Sequence, residues 1–199
     1  MQIKKVEFIK TVMDPERMAD LPRRPQVALV GRSNVGKSSL LNALCMRQMA
    51  RISSKPGKTR GINLFLINDS FYLVDLPGYG FANVSKTEQE RWGGMMERYL
   101  NANEDLVHLL LLLDIRRDPN DDDRQMAYWL EHYRVGYTLV ATKADKIAKS
   151  KRKPLVATLS DKLGMTFRTE PVCFSVTEKI GREELLARLG KSLEEILPN

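Results

Sequence analysis

Eight consecutive residues, Gly31-Arg32-Ser33-Asn34-Val35-Gly36-Lys37-Ser38, place a glycine at each end of a short span and then a lysine and a hydroxyl. This is the G-x-x-x-x-G-K-[ST] pattern of a loop that wraps phosphates. The glycines let the backbone close tightly, and N–H groups at the positive end of the following helix favour a polyanion. The Lys37 ammonium is expected to reach the β- and γ-phosphates of a nucleotide, and the Ser38 hydroxyl to ligate Mg²⁺. Further on, Asp75-Leu76-Pro77-Gly78 supplies a carboxylate that can hold the same ion through water. Gly78 can bring its N–H against a γ-phosphate with no Cβ in the way.

A second carboxylate stands in Thr142-Lys143-Ala144-Asp145. Asp145 can accept from both N1–H and N2–H₂ of guanine, whereas adenine offers an acceptor at N1 and no amine at C2. A charged group left unpaired against adenine would cost more than the ~1–3 kcal/mol of a neutral one, which makes Asp145 the base selector. The Lys143 stem suits the base plane. Backbone N–H groups of Phe174-Ser175-Val176-Thr177 could meet guanine O6, the least specific of the four signals. Taken singly, Asp75–Gly78 also reads as a proline–glycine turn, and Thr142–Asp145 as a capped helix start.

These segments need elements to position them, and the apolar pattern provides a strand before each one. Gln26–Val30, Ile62–Ile67, Phe71–Val74, Leu106–Leu113, Tyr137–Ala141 and Val172–Phe174 read as strands. Asn68-Asp69-Ser70 suits a hairpin turn between the second and third. Lys37–Arg47, Ser85–Leu100, Asp121–Tyr133, Leu155–Leu163 and Glu183–Leu197 read as helices, with Ser85 and Glu88 at capping-box spacing. Strands alternating with helices imply an α/β fold with a mostly parallel six-stranded sheet and one antiparallel edge pair. Ligands of such sheets bind at the carboxyl ends of the strands, which is where all four segments fall.

The 199 residues suit one domain, read as 23–199 with residues 1–22 as an extension packing on it. The longest apolar stretch falls far short of the ~20 residues a spanning helix needs, and Met1–Asp14 lacks a continuous apolar segment, so no membrane association is expected. Cys45 and Cys173 read as reduced thiols of a cytoplasmic protein. Lysine and arginine outnumber aspartate and glutamate 32 to 25, a net charge of +7 that favours polyanionic partners. His108 and His132 lack partners at ligand spacing, and Asp121-Asp122-Asp123 lacks the glycine of a calcium loop and suits a helix start. Trp92, Tyr99, Tyr128, Trp129 and Tyr133 read as packing before base stacking.

Beyond the four segments, Ser53-Ser54-Lys55-Pro56-Gly57-Lys58-Thr59 is followed by Asn63 and Phe65, Gly78 by Tyr79-Gly80-Phe81-Ala82, and Asp145 by Lys146. With these the chain resembles the translation-factor-related GTPases, and among them the EngB family of ribosome-assembly GTPases. The resemblance implies a Ras-like, three-layer fold. It also implies GTP and GDP binding, Mg²⁺-dependent hydrolysis, a switch role in assembly of the large ribosomal subunit, and a link to cell division and septation. It assigns nucleotide contacts to Gly57, Lys58, Thr59, Arg60 and Gly61 as well, with Thr59 as a switch threonine reaching Mg²⁺ when the γ-phosphate is present. Lys37, Thr59, Gly78 and Asn34 are then the groups acting on the phosphates. Tyr79 stands where many GTPases have a water-orienting glutamine, which implies slow intrinsic turnover. Asn34 resembles the asparagine of potassium-activated relatives, so K⁺ is one reading and a loop hydrogen bond the other. Ser175-Val176 departs from the commoner Ser-Ala pairing. The run Lys146, Lys149, Lys151, Arg152 and Lys153 reads as a solvated loop or as a contact to ribosomal RNA. The expected state is a monomer on pre-ribosomal particles. The competing readings are a nucleotide-gated adaptor for division proteins and a metabolic ATPase or kinase.

Overall fold

The computed structural model of the chain describes residues 1–46, 61–80, 85–167 and 169–196. Ser53, Ser54, Lys55, Pro56, Gly57, Lys58, Thr59 and Arg60, together with Phe81 and Ala82, therefore lie outside the described residues.

The strands are β1 (Val6–Val12), β2 (Gln26–Gly31), β3 (Ile62–Ile67), β4 (Phe71–Asp75), β5 (Leu106–Asp114), β6 (Tyr137–Thr142) and β7 (Val172–Cys173). The helices are α1 (Lys37–Cys45), α2 (Lys86–Ala102), α3 (Asp121–His132), α4 (Lys149–Ala157), α5 (Leu159–Leu163) and α6 (Arg182–Glu194). All seven strands join one sheet in the order β1-β3-β4-β2-β5-β6-β7. β3 runs antiparallel to both β1 and β4, and the remaining pairings are parallel. The sheet is thus one strand wider than the sequence pattern suggested. The seventh is β1, where single apolar residues among Lys and Glu mark a half-buried edge strand. Residues 1–22 accordingly contribute a strand and a short 3-10 turn at Pro15–Met18.

The apolar run of β5 shows why the sheet sits between two helical layers. Leu109, Leu111 and Leu113 join a core with Met95, Met96 and Tyr99 of α2 and Met126 and Leu130 of α3. Leu110 and Leu112 join a second core with Leu40 and Leu44 of α1 and Leu185 and Leu189 of α6. A strand buried on both faces has no polar alternation, and each fully buried leucine contributes roughly 1.5–3 kcal/mol. The β3–β4 hairpin turns through Asn68 and Asp69, both at positive φ (50° and 56°), the geometry that matches the twist of paired strands.

Helix ends follow local chemistry. The Ser85 side chain accepts the Glu88 N–H, and Asn120 and Asp123 form a reciprocal capping box that opens α3. The run Lys149–Lys153 lies in the first turns of α4 and not in a loop, and the helical stretch expected at Leu155–Leu163 is split in two at Thr158. Pro154 lies inside α4, where it forfeits one backbone bond. Among the described residues no helix is long and apolar enough to cross a membrane.

Candidate functional site

The phosphate loop leaves β2 and enters α1 through backbone that only certain residues tolerate. A Cβ on Gly31 would stand 2.7 Å from the Leu112 carbonyl oxygen, so the loop can leave the sheet only at a glycine. Gly36 caps α1 at a φ of 111°, left-handed space that favours glycine. Asn34 also adopts a positive φ, 61°. From this frame the Lys37 ammonium hydrogen-bonds the Asp75 carboxylate at the end of β4. The Asp75 side chain is 5% exposed and that of Lys37 12%, so this is an ion pair screened from water. Asp75 also accepts from Asn63 Nδ2 at 3.2 Å, and Asn63 in turn accepts from the Thr11 hydroxyl at 2.7 Å.

The chain after Asp75 folds back over the loop. Ser33 N donates to the Tyr79 carbonyl at 2.8 Å, and Arg32 and Tyr79 form a parallel bridge. A Cβ on Gly78 would lie 3.0 Å from the Gly31 carbonyl oxygen, so this close approach of two backbones favours glycine. Tyr79 points into the protein: its ring packs on Trp92 and its hydroxyl donates to Asp123 Oδ1 at 2.7 Å. Trp92 in turn donates to the Pro77 carbonyl at 3.0 Å. Burial, with Asp123 beside it, pushes the Tyr79 phenol well above its usual range, and burial also raises the Asp123 carboxyl. The segment is therefore clamped between α2 and α3, a role for Tyr79 that its place in the motif did not reveal. Tyr79→Phe leaves a buried carboxylate short of a donor and should destabilise the fold by about 1–2 kcal/mol in denaturant unfolding, with nucleotide affinity little changed.

The segments expected to read the base, Thr142–Asp145 and Phe174–Val176, meet at the ends of β6 and β7. The Thr142 hydroxyl lies 2.7 Å from the Val35 carbonyl oxygen and 3.0 Å from that of Leu113, tying β6 to the phosphate loop. Lys143, at a φ of 58°, sends its ammonium to the Asn34 carbonyl (2.7 Å) and to Asp114 (2.9 Å). Burial raises the Asp114 carboxyl, but hydrogen bonds from Arg116 and Lys143 outweigh it and hold the group well below the usual carboxylate range. Ala144 N bonds the Phe174 carbonyl at 3.1 Å, bringing the two segments together. Asp145 Oδ1 accepts from the Ser175 hydroxyl at 2.8 Å, and that bond holds its carboxyl below the usual range. Arg152 grips Glu178 with two bonds of 2.6 and 2.7 Å, and Glu178 N donates to Ser175 Oγ, so the base loop is braced from α4.

Two expectations change here. Phe174 N is bonded to the Ala141 carbonyl and Ser175 N to that of Ile180, so neither N–H is available to guanine O6. Val176, 51% exposed, and Thr177 follow them in the turn. Of the basic run, Arg152 is engaged with Glu178 and Lys146 with Asp145 at 3.3 Å, whereas Lys149, Lys151 and Lys153 are exposed. Sequence reasoning missed the side-chain roles of Ser175, Asp114, Glu178 and Thr11, because each acts through another residue across the fold. Gly61 is buried against Thr11 and Val12, where a Cβ would meet Thr11 Cγ2 at 2.7 Å. Arg32, Ser33, Asn34 and Val35 of the loop, with Gly80, Asp114 and Lys143, line a cleft of about 380 Å³. His108 sits between Thr138 and Ser192, where burial lowers its pKa to about 4, and His132 stacks on Tyr128. Cys45 is buried and Cys173 half-buried, and neither forms a disulfide.

The donors fit Mg²⁺. A carboxylate at Asp75 and a hydroxyl at Ser38, on the residue after Lys37, are hard oxygen ligands. Among the described residues no group of three or more His, Cys, Asp or Glu could hold a metal unaided. Mg²⁺ commonly takes one or two protein oxygens and completes its shell with phosphates and water.

Residues 26–143 match a family model described as 50S ribosome-binding GTPase. A probable GTP-binding protein EngB of Alkaliphilus metalliredigens is 45% identical over 95% of this chain and 91% of its own. That of Clostridium kluyveri is 46% identical over 99% and 98%. The crystal structure of a probable GTP-binding protein engB superposes with a TM-score of 0.72 at 22% identity, over 85% of this chain and 99% of that one. Era, in a complex with MgGDPNP and a segment of 16S ribosomal RNA, gives 0.65 at 25% identity, over 90% and 60%. With its strand-end segments arranged as described, and with relatives of this similarity along nearly its whole length, the chain belongs to the EngB family of GTP-binding proteins, GTPases of Ras-like fold.

Proposed function

We propose that this GTPase hydrolyses GTP to GDP and phosphate with Mg²⁺ and acts as a monomeric cytoplasmic switch in assembly of the large ribosomal subunit. The observation that carries the chemistry is the meeting of Lys37 and Asp75 at the rim, with Asp145 held by Ser175 where a base would lie. The loop N–H groups and Lys37 neutralise the β- and γ-phosphates. Gly31, Arg32, Ser33, Asn34, Val35 and Gly36 would form the cradle, Ser38 and Asp75 would hold Mg²⁺, the latter through water, and Asp145 would accept from guanine. When bound, Mg²⁺ would supply positive charge that offsets the charge on the phosphates. GTP is proposed to order Gly57–Gly61, with Thr59, and Asp75–Ala82 through γ-phosphate contacts, and hydrolysis to release them.

Turnover is proposed to be slow, since the Tyr79 side chain is committed to Asp123 and orients no water. K⁺ beside Asn34 would add a second positive charge near the phosphates; equal rates in potassium and sodium would exclude it. The ribosomal reading rests on the family description, on Era with its RNA, and on the exposed Lys149, Lys151 and Lys153 within a chain of net charge +7. Division and septation defects would follow from failed ribosome supply. The test is gradient sedimentation of lysate with GTP, GDP or a slowly hydrolysed analogue. The protein should co-migrate with large-subunit particles only with the triphosphate, and migration with septal proteins alone would overturn this reading.

A further inference from the structure

Thr11, Asn63 and Asp75 stand directly opposite one another in neighbouring strands, Thr11 against Asn63 in the β1–β3 pairing and Asn63 against Asp75 in the β3–β4 pairing. Opposite residues share a face of the sheet, so the three side chains form one polar row. Phe65 and Ile67, which share the Asn63 face of β3, are core. Asn63 itself is 1% exposed, and a buried amide must satisfy both its ends. The Thr11 hydroxyl donates to the Asn63 carbonyl oxygen at 2.7 Å, which turns the amide nitrogen toward Asp75 Oδ2 at 3.2 Å. The opposite amide orientation would set an oxygen against a carboxylate. The other carboxylate oxygen of Asp75 faces Lys37. Both oxygens are therefore fixed, one by Lys37 of the phosphate loop and one by Asn63 of β3, which Thr11 of β1 orients in turn.

We propose that Thr11 and Asn63 are positioning residues for Asp75, so that β1 belongs to the metal-handling machinery and is more than a cover for the sheet edge. The inference rests on the reading that Asp75 holds Mg²⁺ through water. Partners of this kind orient metal-bound groups, and losing one commonly weakens metal binding by about tenfold or more.

The test is the affinity of the full-length protein for a fluorescent GDP analogue across a Mg²⁺ titration, with thermal melting beside it. Thr11 is an exposed strand residue, so the isosteric Thr11→Val should still fold, with a lower melting temperature because the buried Asn63 carbonyl loses its donor. It should raise the Mg²⁺ concentration needed for half-maximal effect by about tenfold, leave nucleotide affinity in EDTA unchanged, and be rescued by Thr11→Ser. Asn63→Ala should shift the midpoint further, and Asp75→Ala should remove the Mg²⁺ effect. A wild-type midpoint in folded Thr11→Val, with Asp75→Ala still lacking the effect, would overturn the positioning role alone. An unchanged midpoint in Asp75→Ala would overturn the metal reading and this inference with it.

Discussion

Lys37→Ala should abolish tight guanine-nucleotide binding and also destabilise the nucleotide-free protein. The two effects have different origins. The Lys37 ammonium satisfies the Asp75 carboxylate, and neither side chain is more than 12% exposed. Removing one partner of such a pair leaves a buried charge uncompensated, at a cost of about 3–5 kcal/mol. With nucleotide, the same ammonium is proposed to bridge two phosphates. Charged hydrogen bonds contribute roughly 1.5–3 kcal/mol each, so binding should weaken by a hundredfold or more. The double variant Lys37→Ala with Asp75→Ala should recover much of the lost stability and none of the affinity. Urea unfolding and fluorescent-nucleotide titration read the two effects separately. Affinity within threefold of wild type in the single variant would remove Lys37 from the site.

Asp145→Asn should convert a guanine site into a xanthine site. Asp145 Oδ1 is held by the Ser175 hydroxyl, and an asparagine retains that bond through its carbonyl oxygen. Its amide nitrogen then takes the place of Oδ2 and presents a donor to the base. Guanine offers donors at N1 and N2 and meets a mismatch, whereas xanthine carries a carbonyl where guanine has its amine. Loss of the paired contact should weaken GTP by about 2–4 kcal/mol, thirtyfold to a thousandfold, with xanthosine triphosphate becoming the better ligand. Competition of the two triphosphates for labelled nucleotide measures the exchange. Unchanged preference for GTP would show that another group reads the base.

What the residues disclosed in advance, and what they withheld, has a physical pattern. Strands buried on both faces, such as Leu106–Asp114, are visible as apolar runs, and glycines are visible where backbone must approach backbone, as at Gly31 and Gly78. The four strand-end segments were recognisable because phosphate and base chemistry demands fixed residue types at fixed spacing. The Val6–Val12 strand was obscured because Glu7, Lys10 and Thr11 interrupt its apolar residues and its partner, Ile62–Ile67, lies some fifty residues away. The Lys149–Ala157 helix was obscured by Pro154. Residues that act through others left no local trace. Ser175 on Asp145, Asp123 on Tyr79 and Thr11 on Asn63 are pairs separated by 30, 44 and 52 positions, joined only when the sheet forms. Tyr79 shows the limit most clearly, since its type fixed what it could not do to water but not that Asp123 would hold it.

Titration calorimetry of the purified protein with GDP and with ADP, each in Mg²⁺, bears most directly on whether this rim is a guanine-nucleotide pocket. Saturable heat from GDP, with none from ADP at the same concentrations, is the expected result. No heat from guanosine di- or triphosphate, or equal binding of the adenosine form, would contradict it.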